Sequence, residues 1–262
     1  MARLAKYRSA RNFKGIDSLL AVSSKSVDRD DFYELYGTAY LRDHKYGNAL
    51  NMLNKISPRY KYLDTDDWYA NDSIFYSIPF IETIRDYPKQ HVGAKEAFNK
   101  KTFAQEMVRL QRLTIKDKKN AANYYFRMAN AVYQTGYFGN SWFLISYDWT
   151  SFDNFNPVQH AFEMDYKKAY TAKKWYAKAR SLSKDVNFKA KCTFMMAKCA
   201  QQEIVHDNEI GYYRHDPNYK VLMDANYNNP YFKELKVTYD KTPFYQVAAS
   251  ECSYLKDFII VK

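Results

Sequence analysis

Glycine and proline are scarce, with seven of each in 262 residues. An all-β chain needs both at its many turns, so their scarcity points to helices. Cysteine is scarcer still: Cys192, Cys199 and Cys252. Three thiols do not make a disulfide framework. Cys192 and Cys199 stand two helical turns apart on one face, roughly 10 Å along the axis, too far to bond within one straight helix. Set among Phe194, Met195 and Met196, they read as small buried hydrophobes rather than nucleophiles. No apolar run approaches the length of a membrane span. Residues Met1 to Phe13, with Arg3, Lys6, Arg8 and Arg11, lack the apolar centre of a signal peptide.

The patterns that carry common chemistries are missing too. There is no His-Glu-x-x-His, no Cys-x-x-Cys, no Gly-x-Ser-x-Gly elbow and no Walker loop. The run Asp64 to Asp67 has neither the glycine nor the terminal glutamate of a calcium loop and reads as helix-entry chemistry. His206 and His215, with Asp207 and Asp216, form a loose group that reads as an exposed turn rather than a metal site. The expectation is a chain with no metal, no cofactor and no catalysis.

Aromatic residues are what the chain has in excess: 26 Tyr, 17 Phe and 4 Trp. Such rings suit broad helix–helix contacts, because each buries a large apolar area and tyrosine keeps a polar edge. They also conceal a repeat. Residues 32–49 align without a gap on residues 124–141. Tyr33 falls on Tyr125, Gly37 on Ala129, Ala39 on Ala131, Tyr46 on Phe138, Gly47 on Gly139 and Ala49 on Ser141. Tyr33, Tyr36, Gly37 and Tyr40 share one helical face. A small residue at Gly37 or Ala129 lets a second helix approach closely. Each copy is therefore expected to be a helical hairpin. The first turns at Asp43 to Lys45 and runs on from Tyr46 with Ala49, Leu53 and Ile56 inward, until Pro58 stops it. The second turns at Thr135-Gly136 and continues with Ser141 and Ile145 inward.

This pattern resembles the tetratricopeptide repeat. Tyr33, Tyr36, Gly37, Tyr40, Ala49, Leu53 and Ile56 take that family's places, with Tyr36 standing for its leucine and Ile56 for its last alanine. Tyr125, Met128, Ala129, Val132, Ser141 and Ile145 take them again, and Ala172, Tyr176 and Ala179 repeat the second-helix pattern. The resemblance implies an all-α fold of antiparallel helix pairs stacked as a right-handed solenoid. Phe13, Ile16 and Leu20 lie one repeat before Tyr46, Ala49 and Leu53, so the chain is expected to begin inside a repeat, as a piece of a longer protein. The phrases Tyr137 to Trp142, Ala190 to Cys199 and Phe244 to Cys252 also resemble a family of uncharacterised Bacteroidota proteins. That resemblance implies a periplasmic or outer-membrane-associated lipoprotein, although its lipoprotein signal is not in this sequence.

The whole of 1–262 is read as one helical-repeat domain. It comprises repeat hairpins over 1–58, an atypical helical insert over 59–120, repeat hairpins over 121–206, and an irregular segment with C-terminal helices over 207–262. Within it, a short helix is expected at 79–87, longer ones at 95–115, 158–183 and 186–206, an irregular stretch at 208–229, and last helices at 231–239 and 243–258. Thr242 caps the last of these, with Pro243 in its first turn.

Tetratricopeptide-like proteins bind partners on the surface lined by the first helix of each pair. The outward positions there are Glu34, Thr38, Leu41 and Arg42 in one copy and Asn123, Phe126, Asn130, Tyr133 and Gln134 in the other. Asn130 is the residue expected to grip a peptide backbone or carboxylate, since its amide both donates and accepts. The expected partner is a protein or peptide. The alternative is nucleic acid or an anionic surface. Net charge is +11, and residues 167–191 hold many basic residues against Asp185 alone. Lys167, Lys174 and Lys178 are expected to form one outward strip facing phosphates.

Overall fold

A computed structural model describes residues 29–60, 79–84, 98–147, 161–207 and 219–261. The expected half-repeat at Phe13 to Leu20, the Asp64 to Asp67 run and His215 lie outside them. All regular structure among the described residues is helical.

The first hairpin forms as its spacing predicts. Helix α1 (Arg29–Arg42) has Asp30 and Asp31 in its first turn and Arg42 in its last, which complements the helix dipole. Helix α2 (Tyr46–Leu53) folds back on it and buries Tyr46, Ala49 and Leu53. Gly37 lies directly against α2: a Cβ there would lie 2.5 Å from Leu53 Cδ2. Leu53 therefore occupies the space that any other residue's side chain would need.

Helix α3 (Lys100–Lys116) starts at Asn99. The Asn99 side chain accepts from the Thr102 amide at 2.9 Å, and Thr102 Oγ1 accepts from the Asn99 amide at 3.0 Å. Helix α4 (Ala121–Thr135) follows a short 3-10 turn at Lys118–Asn120. Here the structure departs from the gap-free alignment. The residues after α4 do not form a second helix. They curl through Gly136 and Gly139 into a single 3-10 turn, Trp142–Leu144. Ser141 N donates to Gln134 O at 2.8 Å and Gly139 N to Gly136 O at 2.9 Å, so the chain closes back on the end of α4. Gly47, aligned with Gly139, has nothing within 4 Å of where its Cβ would be. The helix that packs on α4 is α6 (Tyr170–Leu182), through Ala172, Tyr176 and Ala179. The second hairpin expected with Ser141 and Ile145 on its inward helix is thus corrected to a helix followed by a 3-10 turn.

The single helix expected over 158–183 is two, α5 (Ala161–Lys168) and α6, parted at Ala169 with φ 52°. Helix α7 (Val186–Asp207) buries an almost unbroken run from Cys192 to Cys199. Helix α8 (Tyr219–Tyr227) lies in the stretch expected to be irregular. Helix α9 (Pro230–Thr238) and helix α10 (Pro243–Glu251) both carry proline in the first turn, and Thr242 Oγ1 accepts from Tyr245 N at 3.2 Å as its spacing predicts. Cys252 divides the expected last helix into α10 and α11 (Ser253–Val261). Residues 79–84 are not helical beyond a turn at Pro79-Phe80, which corrects the short helix expected there.

Packing runs α1 on α2, α2 on α3, α3 on α4, α4 on α6 and α6 on α7. Helix α7 then also carries α5, α8, α9 and α10. One apolar cluster extends from Leu41 to Phe258 through all of these except α8.

Candidate functional site

The outward positions expected to line an open surface are mostly covered. Glu34, Thr38 and Leu41 are each 1% exposed on α1, and on α4 Phe126, Asn130, Tyr133 and Gln134 are buried. Only Asn123 is exposed, and Arg42 is half-buried. The placement of these residues on a free face is therefore corrected. What covers them differs between the two copies.

On α1 the cover is a polar cluster. Lys100 Nζ, from α3, donates to Glu34 Oε1 and, at 2.9 Å, to Thr38 Oγ1. Tyr147 OH donates to Glu34 Oε2 at 2.6 Å. The Lys100 ammonium lies 4.0 Å from the Tyr147 ring centroid. Burial pushes the Tyr147 hydroxyl well above its ordinary pKa and the Glu34 charge pushes it further, so it stays a donor. Arg42 donates to Ile145 O at 2.6 Å and sits over the Phe162 ring. The cluster ties α1, α3 and the 145–147 segment together.

A second polar group joins the first hairpin's turn to the α5–α6 break. His44, itself at φ 56°, meets Asp165 Oδ2 through Nε2 at 2.5 Å. Its Nδ1 lies 2.9 Å from Tyr46 OH. Asp165 Oδ1 accepts from Thr171 N at 2.7 Å and so caps α6. The adjoining cavity is about 10 Å³, room for one water at most. Burial pushes the Asp165 carboxyl up, but the His44 hydrogen bond and charge and the Thr171 amide pull it down further, below its ordinary range. A depressed carboxylate stabilises the fold above its unfolded pKa of about 4, and that stability is lost as pH falls through the folded value. Asp165→Asn is accordingly expected to melt below wild type at about pH 6, and the gap should narrow as pH drops through about 4 to 2. Thermal melts of both proteins across that range check it; a gap that is constant with pH would refute the assignment.

On α4 the cover is the chain's own residues 79–84. Asn130 Nδ2 donates to Phe80 O at 3.2 Å, and its Oδ1 accepts from Tyr176 OH at 2.7 Å. Gln134 Nε2 donates to Ile81 O at 3.2 Å and to Thr83 Oγ1 at 3.3 Å. From α7, Lys198 Nζ donates to Thr83 O at 3.3 Å and to Ile84 O at 3.2 Å, and Lys191 Nζ meets Glu82 Oε1 at 2.8 Å. The Phe80 ring packs on Phe98 and Phe103, with Arg127 over its face. Asn130, expected to grip a partner, instead has its amide taken up by Phe80 O and Tyr176 OH of its own chain. Lys198 was missed in the sequence, although a lone lysine inside the run Phe194 to Cys199 is the kind of residue that needs buried acceptors.

The basic strip divides. Lys167 is 6% exposed, on α5, while Lys174 and Lys178 are exposed on α6 beyond the Ala169 break. Lys173 pairs with Glu203, Arg180 with Glu234 and Lys191 with Glu82. The expected strip through Lys167, Lys174 and Lys178 is therefore not one surface. Cys192 and Cys199 are buried on α7, and burial pushes the Cys192 thiol up to about 12. Among the described residues, no three His, Cys, Asp or Glu side chains converge as a metal site would need, and no helix is long and apolar enough to cross a membrane. No family model, curated protein or solved structure matches the chain.

Proposed function

We propose that the chain is a non-catalytic interaction scaffold, a tetratricopeptide-like right-handed solenoid whose α4–α7 groove holds a linear protein segment. The observation that carries this reading is the grip of Asn130, Gln134 and Lys198 on four main-chain carbonyls of residues 80–84. Side-chain donors aimed at backbone carbonyls recognise a peptide as a peptide, whatever its sequence. The neighbour-on-neighbour packing from α1 to α7 supports the solenoid. The resemblance to exported Bacteroidota proteins supports a cell-envelope setting.

Panning random linear peptides, displayed on phage, against the folded chain tests the proposal. Wild type and a Glu82→Lys variant serve as baits, since the variant sets two cations side by side at Lys191. Enrichment of any common motif, reduced by Gln134→Ala in the same background, is the expected result. No enriched motif on either folded bait would overturn the scaffold reading.

A further inference from the structure

We infer that the α4–α7 groove is specific for a linear segment presenting an aromatic residue and, two positions on, a carboxylate, supplied by a partner protein, and that Phe80-Ile81-Glu82 is the chain's internal stand-in for it. This rests on the scaffold reading above.

The groove's donors are oriented independently of what fills it. Asn130 Oδ1 is held by the Tyr176 hydroxyl at 2.7 Å, which turns Nδ2 toward the groove. Gln134 Oε1 is held by Asn140 N at 3.2 Å, which turns Nε2 the same way. Neither partner belongs to residues 79–84. Such preorganisation lowers the cost of binding any segment with the right spacing of carbonyls.

Two side chains of the segment, Phe80 and Glu82, make its aromatic and charged contacts, and a third, Thr83, accepts from Gln134 Nε2 at 3.3 Å. The ring of Phe80 lies 5.1 Å from Phe98 and 5.8 Å from Phe103 between centroids, with the Arg127 guanidinium 5.7 Å from its own centroid. Glu82 meets Lys191. Between them Ile81 is 39% exposed. An aromatic, any residue, then an acid is the code these contacts impose. Lys191 and Lys198 give the groove the opposite charge to such a segment.

Among the described residues, the internal occupant is held by side chains alone. No backbone–backbone hydrogen bond joins residues 79–84 to another described residue. A second segment with the same code can therefore replace it without breaking a backbone–backbone bond among the described residues.

The test is a fluorescent synthetic peptide with the sequence of residues 77–86, titrated by polarisation into the full chain. Wild type, filled by its own segment, should bind it weakly. Glu82→Lys should bind it at least about tenfold tighter, since a charge-assisted hydrogen bond of the occupant is replaced by repulsion. Peptides with glutamine for the glutamate, or alanine for the phenylalanine, should each lose about tenfold against Glu82→Lys. Equal affinity of folded wild type and Glu82→Lys, or indifference to the glutamine peptide, overturns the inference. So does a Glu82→Lys protein that elutes as a dimer and ignores the peptide, because the segment would then be exchanged between copies. If Glu82→Lys fails to fold, millimolar peptide added to isotopically labelled wild type should still shift the Asn130 and Gln134 side-chain amide resonances; unmoved resonances overturn it too. A different motif enriched by panning would leave the scaffold standing and remove this code alone.

Discussion

Gly139→Ala should lower stability by about 4 kcal/mol or more, near the extreme for one added methyl group. A Cβ at Gly139 would lie 2.0 Å from Gln134 O, 2.3 Å from its carbonyl carbon and 2.5 Å from its Cα. All three are backbone atoms of α4's last turn, so no side-chain rotation relieves the clash. Relief requires opening the turn in which Ser141 N and Gly139 N bond to Gln134 O and Gly136 O. Gly47→Ala is the control. It opens α2, meets nothing within 4 Å and should be neutral or stabilising by up to about 1 kcal/mol. Urea denaturation of both variants is the measurement. A Gly139→Ala midpoint close to wild type would show that the turn closing α4 is wrongly placed.

Lys100→Met should cost about 3–5 kcal/mol, the usual loss when one partner of a buried ion pair is removed. Glu34 is 1% exposed and would keep only Thr38 and Tyr147 as donors. The double variant Glu34→Leu with Lys100→Met should recover much of that loss, because both charges leave the interior together. A double-mutant cycle by chemical denaturation measures the coupling. If the single and double variants are equally unstable, the pair contributes through packing rather than charge.

The first hairpin was legible because its contacts are local. Gly37 and Leu53 belong to adjacent helices joined by three residues, and size complementarity between them shows in the letters alone. Thr242-Pro243 was legible for the same reason, since a cap is decided within four residues. The second copy misled because an alignment cannot register backbone direction. Gly47 and Gly139 are the same letter, yet one begins a helix and the other permits a turn to close on Gln134. The Ala169 break left no trace, since alanine has the highest helix propensity and it is Asp165, held by His44, that anchors the next helix start. Asn130 was read as a partner-facing residue, whereas its amide is buried against this chain's own backbone. That the backbone belongs to residues 50 positions upstream depends on tertiary proximity, which no periodicity encodes.

Helix α7 touches five other helices, among them three that follow it in the chain. In a linear array each unit leans on two neighbours, and the array can fray inward from either end. Here the last third of the molecule converges on one rod instead. Loosening α7 would release α8, α9 and α10 together, while α6 stays packed on α4 and α5 stays tied to His44 through Asp165, so the end of the chain gains or loses its order as a block. The Lys191 and Lys198 ends of the peptide grip stand on that same rod. Whatever occupies the groove is thereby wired to the integrity of that C-terminal block.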